Sequence, residues 1–128
     1  MLQNELDGFV VYKPHFRATG GLFATISKSG IRFSYDVVKA MNTEWLLLFL
    51  DENKQRIMIQ PAKKGTPNAV KLSSQGGKVN TMVQKSVVED IRELAELKDG
   101  EKITVYGHRC NYATNPSIIF PLTKRSEQ

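Results

Sequence analysis

One order of apolar runs and turn signals occurs twice in this 128-residue chain, and that repetition constrains its fold more than any other feature. In the first copy, residues 23–62, Phe23-Ala24-Thr25-Ile26 has strand composition and leads into the turn-forming Ser27-Lys28-Ser29-Gly30. Ile31 and Phe33 stand two apart and share a face if the chain is extended. Ser34 has the chemistry of a helix N-cap, and Asp36 falls in the first turn, where the positive helix end favours it. Val37, Val38 and Met41 supply the apolar stripe of a short helix that Asn42-Thr43 ends. Six apolar residues, Trp45 to Leu50, predict a strand buried on both faces. Asp51-Glu52-Asn53-Lys54 turns the chain, and Arg56 to Gln60 returns with partial alternation until Pro61 stops the ladder.

The second copy, residues 69–122, follows the same order more loosely. Ala69-Val70-Lys71-Leu72 is its first strand, and Ser73-Ser74-Gln75-Gly76-Gly77 echoes the earlier polar turn. Lys78-Val79-Asn80 and Met82-Val83 are extended or irregular. From Lys85 the spacing of Val87, Val88, Ile91, Leu94 and Ala95 predicts a helix with Glu89, Asp90, Arg92, Glu93 and Glu96 outward. Lys98-Asp99-Gly100 turns into the strand Lys102 to Tyr106. A loop from Gly107 to Pro116 precedes a last strand, Ser117 to Phe120, closed by Pro121. Val37-Val38 matches Val87-Val88, Leu48-Phe49 matches Val105-Tyr106, and Ile57-Met58-Ile59 matches Ile118-Ile119-Phe120.

Residues 1–22 have no counterpart and form an N-terminal extension. Gly8 to Tyr12 and His15-Phe16-Arg17 are short strand candidates, expected to add an edge or lid before the breaker Thr19-Gly20-Gly21. Residues 63–68 are a basic linker and residues 123–128 a tail. The length is that of one domain. The expected class is mainly β with two short helices (α+β). Two strand-rich halves that each expose an apolar face bury it against one another, which predicts a pseudo-two-fold β-barrel of two fused β-α-β-β units or two interlocked hairpins.

Charge adds a second constraint. The net charge is +5, and residues 63–80 carry Lys63, Lys64, Lys71 and Lys78 with no acidic residue, while the rest of the chain is nearly balanced. Such a cluster attracts phosphate backbones, although a solvated linker would have the same composition. No apolar run has the length of a membrane span. The N-terminal residues lack a signal core and the chain holds a single cysteine, Cys110, so a reducing, cytoplasmic location is expected.

At Ser27-Lys28-Ser29-Gly30-Ile31-Arg32-Phe33-Ser34 and the helix to Met41, the first copy resembles the AbrB/SpoVT/MazE group of swapped-hairpin domains. Leu97-Lys98-Asp99-Gly100-Glu101-Lys102-Ile103-Thr104-Val105 is similar to that family's helix exit. Together the two cover most of residues 23–122. Members are usually about half this length and build the barrel from two chains, so the resemblance implies a fused pseudo-dimer. It also implies sequence-selective DNA binding by a bacterial or phage-type transcriptional regulator, without enzymatic activity. The expected contacts are Lys28, Arg32, Lys39, Lys63, Lys64, Lys71, Lys78 and Lys85, with duplex DNA favoured and single strands second. The family's loop arginine is replaced by Gly30 in the first copy and Lys78 in the second. Val38 takes one of the helix's basic places, Glu89 and Asp90 both in the second helix, and Ser34 replaces a proline. These differences motivate an alternative, a protein–protein interaction module (inhibitor or assembly factor) on the same barrel without DNA binding. A homo-oligomer and a protein partner both stay open.

No other chemistry converges. His108 and Cys110 lack the further ligands a metal would need, and no orienting group marks them as a nucleophile pair. No phosphate loop, dinucleotide fingerprint or nucleophile elbow occurs, so no cofactor is expected. Trp45, Phe49, Phe33 and Tyr106 lie in apolar stretches and are expected in the core. Tyr12, Phe16, Tyr35 and Tyr112 are left as candidates to stack on bases.

Overall fold

A computed structural model describes residues 8, 10, 11, 21–75 and 77–122. The chain is mainly β, with ten strands and two helices among the described residues. In order these are β1 (Phe23–Ser27), β2 (Gly30–Phe33), α1 (Tyr35–Met41), β3 (Trp45–Asp51), β4 (Arg56–Ala62) and β5 (Val70–Lys71). There follow β6 (Ser73–Gln75), β7 (Lys78–Met82), α2 (Lys85–Leu94), β8 (Ile103–Tyr106), β9 (His108–Tyr112) and β10 (Asn115–Pro121). The strands make two five-stranded sheets, β6-β7-β2-β1-β8 and β5-β3-β4-β10-β9. Every pairing is antiparallel. No helix of the described residues is long and apolar enough to cross a membrane.

The sheets are linked by strands that run from one into the other. β5 lies at the edge of the second sheet and β6 at the edge of the first, with only Leu72 between them. β8 and β9 make the reverse passage with only Gly107 between. Strands that change sheets at a bend are a common way to turn the corner of a sandwich. The Gly107 N–H donates to the Leu22 carbonyl at 2.8 Å, and the Leu72 N–H to the Glu44 carbonyl at 2.7 Å, so both corners stay hydrogen-bonded.

The core lies between the sheets. Ala24, Ile26, Ile31, Phe33, Met82 and Val105 point in from the first sheet. Leu46, Ile57, Ile59, Ile118 and Phe120 point in from the second. The Phe33 and Phe120 rings bridge the layers with centroids 5.9 Å apart. Val37 and Met41 of α1, and Val88 and Ile91 of α2, are also buried. α2 ends in a Schellman arrangement: Glu96 takes φ 59°, and Leu97 N–H reaches the Arg92 carbonyl at 3.0 Å.

Several expectations need correction. Ser34 stands at the N-cap of α1 but makes no cap hydrogen bond. Its hydroxyl donates to the Gly21 carbonyl at 2.8 Å and accepts from the Phe23 N–H at 3.2 Å, fastening the entry of β1 instead. Pro61 lies inside β4, opposite Leu46, because β10 pairs only as far as Ile59 and asks no donor of Pro61. Residues 108–112, read as loop, are β9. Its side chains are exposed apart from a half-buried Cys110, so an edge strand carried no apolar pattern. Leu48-Phe49 and Val105-Tyr106, matched in sequence, sit in different sheets; the strand beside β10 is β9. Trp45 to Leu50 buries one face only, since Leu46 is core while Trp45, Leu47 and Phe49 are half-exposed. Tyr106 is 53% exposed rather than core. In the extension, Val10 and Val11 are exposed and in no strand. Gly8 is in a turn, and the rest of the two strand candidates there, and the tail, lie outside the described residues.

The β3–β4 hairpin closes on Asp51, whose Oδ2 accepts from Arg56 Nε at 2.8 Å and whose Oδ1 accepts from the Lys54 N–H at 3.2 Å. These bonds, Arg56's first, hold the Asp51 carboxyl below the usual carboxylate range. A depressed folded-state pKa stabilises above the unfolded carboxyl's range, and the contribution is lost as pH falls through the folded value. Asp51→Asn is therefore expected to lower the thermal midpoint slightly at neutral pH and by less as the pH falls below the unfolded carboxyl's range. Paired melts at neutral and acidic pH check this.

Candidate nucleic-acid interface

The first part of the acid-free stretch, residues 63–71, runs from the end of β4 to β5 at the edge of the second sheet, and the rest passes into the first sheet. Trp45 opens β3 and is paired with Ala62 of β4 on one side and Lys71 of β5 on the other. The Thr43 hydroxyl fixes this corner, donating to the Ala62 carbonyl at 3.0 Å and accepting from the Trp45 N–H at 3.2 Å. Lys63 and Lys64 leave the sheet directly after Ala62. Their turn is held by reciprocal bonds, Lys63 N–H to Thr66 Oγ1 at 3.2 Å and Thr66 N–H to the Lys63 carbonyl at 3.0 Å. Gly65, at φ 91°, supplies the left-handed residue the turn needs.

Lys71 Nζ stands 5.9 Å from the centre of the half-exposed Trp45 ring, within cation–π range. Lys63, Lys64 and Lys71 are all exposed. One cation thus lies over a flat aromatic surface and two more follow its strand partner Ala62 in sequence, a combination able to meet phosphates with the lysines and a sugar or base with the indole. Glu44, adjacent to Trp45 in sequence, is an exposed carboxylate in the bend before β3.

Of the other five basic candidates, Lys28, Arg32, Lys78 and Lys85 belong to the first sheet, its β1–β2 turn or α2 and not to this corner. Lys28 and Lys85 line a groove with Glu89, Arg92 and Asp99, and Lys28 Nζ is 3.4 Å from the Asp99 carboxylate. Arg92 is spent on the turn after α2, donating to the Lys98 and Glu101 carbonyls at 2.7 Å each. Lys78 opens β7, at the far end of the first sheet from Lys28: Ile31, one residue past Gly30, pairs with Met82, at the other end of β7. Lys39 is exposed in the last turn of α1. Arg32 projects from the middle of the first sheet's outer face, beside Thr25.

Beyond the end of α2, Glu52, Asp90, Glu93 and Glu96 line an acidic recess of about 600 Å³. That side of the molecule repels phosphate. Trp45 was missed as a site residue because six consecutive apolar residues conceal which of them face outward. The returning strand held the signal: Gln60 and Met58 lie opposite Leu47 and Phe49, on the face that Trp45 shares.

The outer face of the second sheet also carries an apolar recess of about 320 Å³, walled by Phe49, Met58, Tyr112 and Ile119 and ending at Asp51 and Arg56. Gln60 holds the β9–β10 hairpin over this face, donating to the Tyr112 carbonyl at 3.1 Å and to Ser117 Oγ at 3.0 Å. Comparison of the chain with family models, with curated proteins and with solved structures finds no match in any of the three.

Proposed function

We propose that this protein binds nucleic acid, gripping the phosphates of duplex DNA at the Trp45 corner. The observation that carries the reading is the Lys71 ammonium over the half-exposed Trp45 indole, with the exposed Lys63 and Lys64 following Ala62, the residue paired with Trp45. The strand orders support the finer reading of two related halves. Across β6-β7-β2-β1 and across β3-β4-β10-β9, exchanging first-half strands for second-half strands reverses the order without changing it. A pseudo-two-fold, barrel-like arrangement of fused units has that property, and it is also what the swapped-hairpin resemblance implies. A regulator that reads DNA is the corresponding role.

Trp45 is the only tryptophan, so its fluorescence reports the proposed contact directly. Titration with a short duplex at several salt concentrations should quench it, with affinity falling by a log–log slope of about −0.9 per phosphate neutralised. The Lys63→Gln/Lys64→Gln/Lys71→Gln variant should flatten that slope by about 2.7. Absence of any binding to duplex or single strands at low salt would sink the reading.

A second reading rests on the apolar recess beside Phe49, which suits an apolar side chain of a protein partner. Capture of one stoichiometric protein that resists nuclease and is lost with Met58→Asp would favour it over the first.

A further inference from the structure

We infer that the outer face of the first sheet is a second surface, on which the bases of single-stranded nucleic acid stack. The inference rests on the nucleic-acid reading above and adds a ligand form and a place for it.

Side chains alternate along each strand. With Ala24, Ile26, Phe33 and Val105 turned into the core, Phe23, Thr25, Arg32, Thr104 and Tyr106 face the other way. The pairing register gathers them. Phe23 lies opposite Tyr106, and Thr25 lies between Arg32 and Thr104, with Thr81 beyond Arg32. Thr81 is buried, so the accessible result is a polar row of Arg32, Thr25 and Thr104 across three neighbouring strands, and an aromatic pair one step along. At strand spacing that row is about 10 Å wide.

Each component has a task in holding a single strand. The Phe23 and Tyr106 rings are 6.0 Å apart and inclined at 54°, and Tyr106 remains 53% exposed. An open, tilted aromatic pair offers stacking faces to successive unpaired bases, which a duplex keeps buried in its own stack. Arg32 is exposed and is the only charged side chain among these residues, so the face is complementary to a phosphodiester chain. The Thr25 and Thr104 hydroxyls, 3.3 Å apart, can donate to phosphate or sugar oxygens. The carboxylates at the β1–β2 end are already engaged. Asp99 pairs with Lys28, and Glu101 Oε1 accepts from the Lys98 N–H at 2.7 Å.

Neither helix covers this face, since both Arg32 and Thr104 are exposed at its centre. The Trp45 corner belongs to the other sheet, so the two surfaces can be told apart experimentally.

The probe is a labelled oligodeoxythymidylate, compared with a short duplex by fluorescence anisotropy on the full chain. Tyr106→Ala should weaken oligodeoxythymidylate binding by about 5- to 150-fold, the range for one lost base–aromatic stack, while duplex affinity stays within about twofold. Tyr106→Phe should restore most of the loss, and Arg32→Gln should weaken the single strand and reduce its salt slope by about 0.7. Saturating oligodeoxythymidylate should leave Trp45 fluorescence unquenched. Duplex binding without oligodeoxythymidylate binding would overturn this inference alone. So would Tyr106→Ala reducing both ligands equally or neither. Failure of both ligands to bind would overturn the nucleic-acid reading with it. Circular dichroism of Tyr106→Ala confirms the fold, and if that variant is unfolded, Tyr106→Gln carries the same expectations.

Discussion

Phe120→Ala should destabilise the protein by about 3–5 kcal/mol, the usual cost of emptying a fully buried aromatic position. The ring is 0% exposed, it faces Phe33 of the opposite sheet, and it lies beside the Gly107 corner where β8 becomes β9. Removing it opens a void where both sheets and one corner meet, a place with little freedom to collapse. Domains of this size are stable by about 5–15 kcal/mol in total, so the loss is a large share of what holds the chain folded. Urea unfolding of the two proteins measures it. A difference under about 1 kcal/mol would mean that the ring does not hold the layers together as described.

Gly107→Ala should cost about 1–3 kcal/mol by overpacking, and the cost should depend on Phe120. A Cβ at Gly107 would stand 2.8 Å from two atoms of the Phe120 ring and 2.9 Å from Ile118 Cγ2, closer than carbon atoms approach. The ring cannot swing aside because Phe33 is packed against it. In a Phe120→Ala background the ring is gone and only the Ile118 contact remains, so the second substitution should cost less than it does alone. The double-mutant cycle should therefore show a coupling of about 1–2 kcal/mol. Additive effects would show that the corner tolerates a side chain by moving the backbone, and that glycine is not required there.

How much could be read from the residues follows from which forces leave a local mark. Turn chemistry and helix periodicity do, and both helices and the β1–β2 and β3–β4 hairpins lie where Ser27 to Gly30, Val37 to Met41, Asp51 to Lys54 and Val87 to Ala95 placed them. Edge strands do not, because one side is solvent and their side chains can be polar; His108-Arg109-Cys110-Asn111-Tyr112 looks like a loop for that reason. A run such as Trp45 to Leu50 is ambiguous in another way. It fits a strand buried on both faces and a strand with one half-covered face equally well, and only the pairing register separates them. The site was legible to the same degree. Lys63, Lys64 and Lys71 were marked by the missing carboxylates around them. Trp45 and Tyr106 were hidden by the expectation that aromatic residues in apolar runs are interior, and the dispersal of Lys28, Lys78 and Lys85 depended on packing between distant segments.

The two places where a strand passes from sheet to sheet fix more than the core. With the backbone continuous through Leu72 on one flank and Gly107 on the other, the layers are tied together at two corners. Whatever each layer presents outward therefore stays about 10 Å of packed side chains away from what the other presents. A double helix seated by the indole and a loose strand lying on the tyrosine would occupy opposite sides of one body, which would act as a spacer between them.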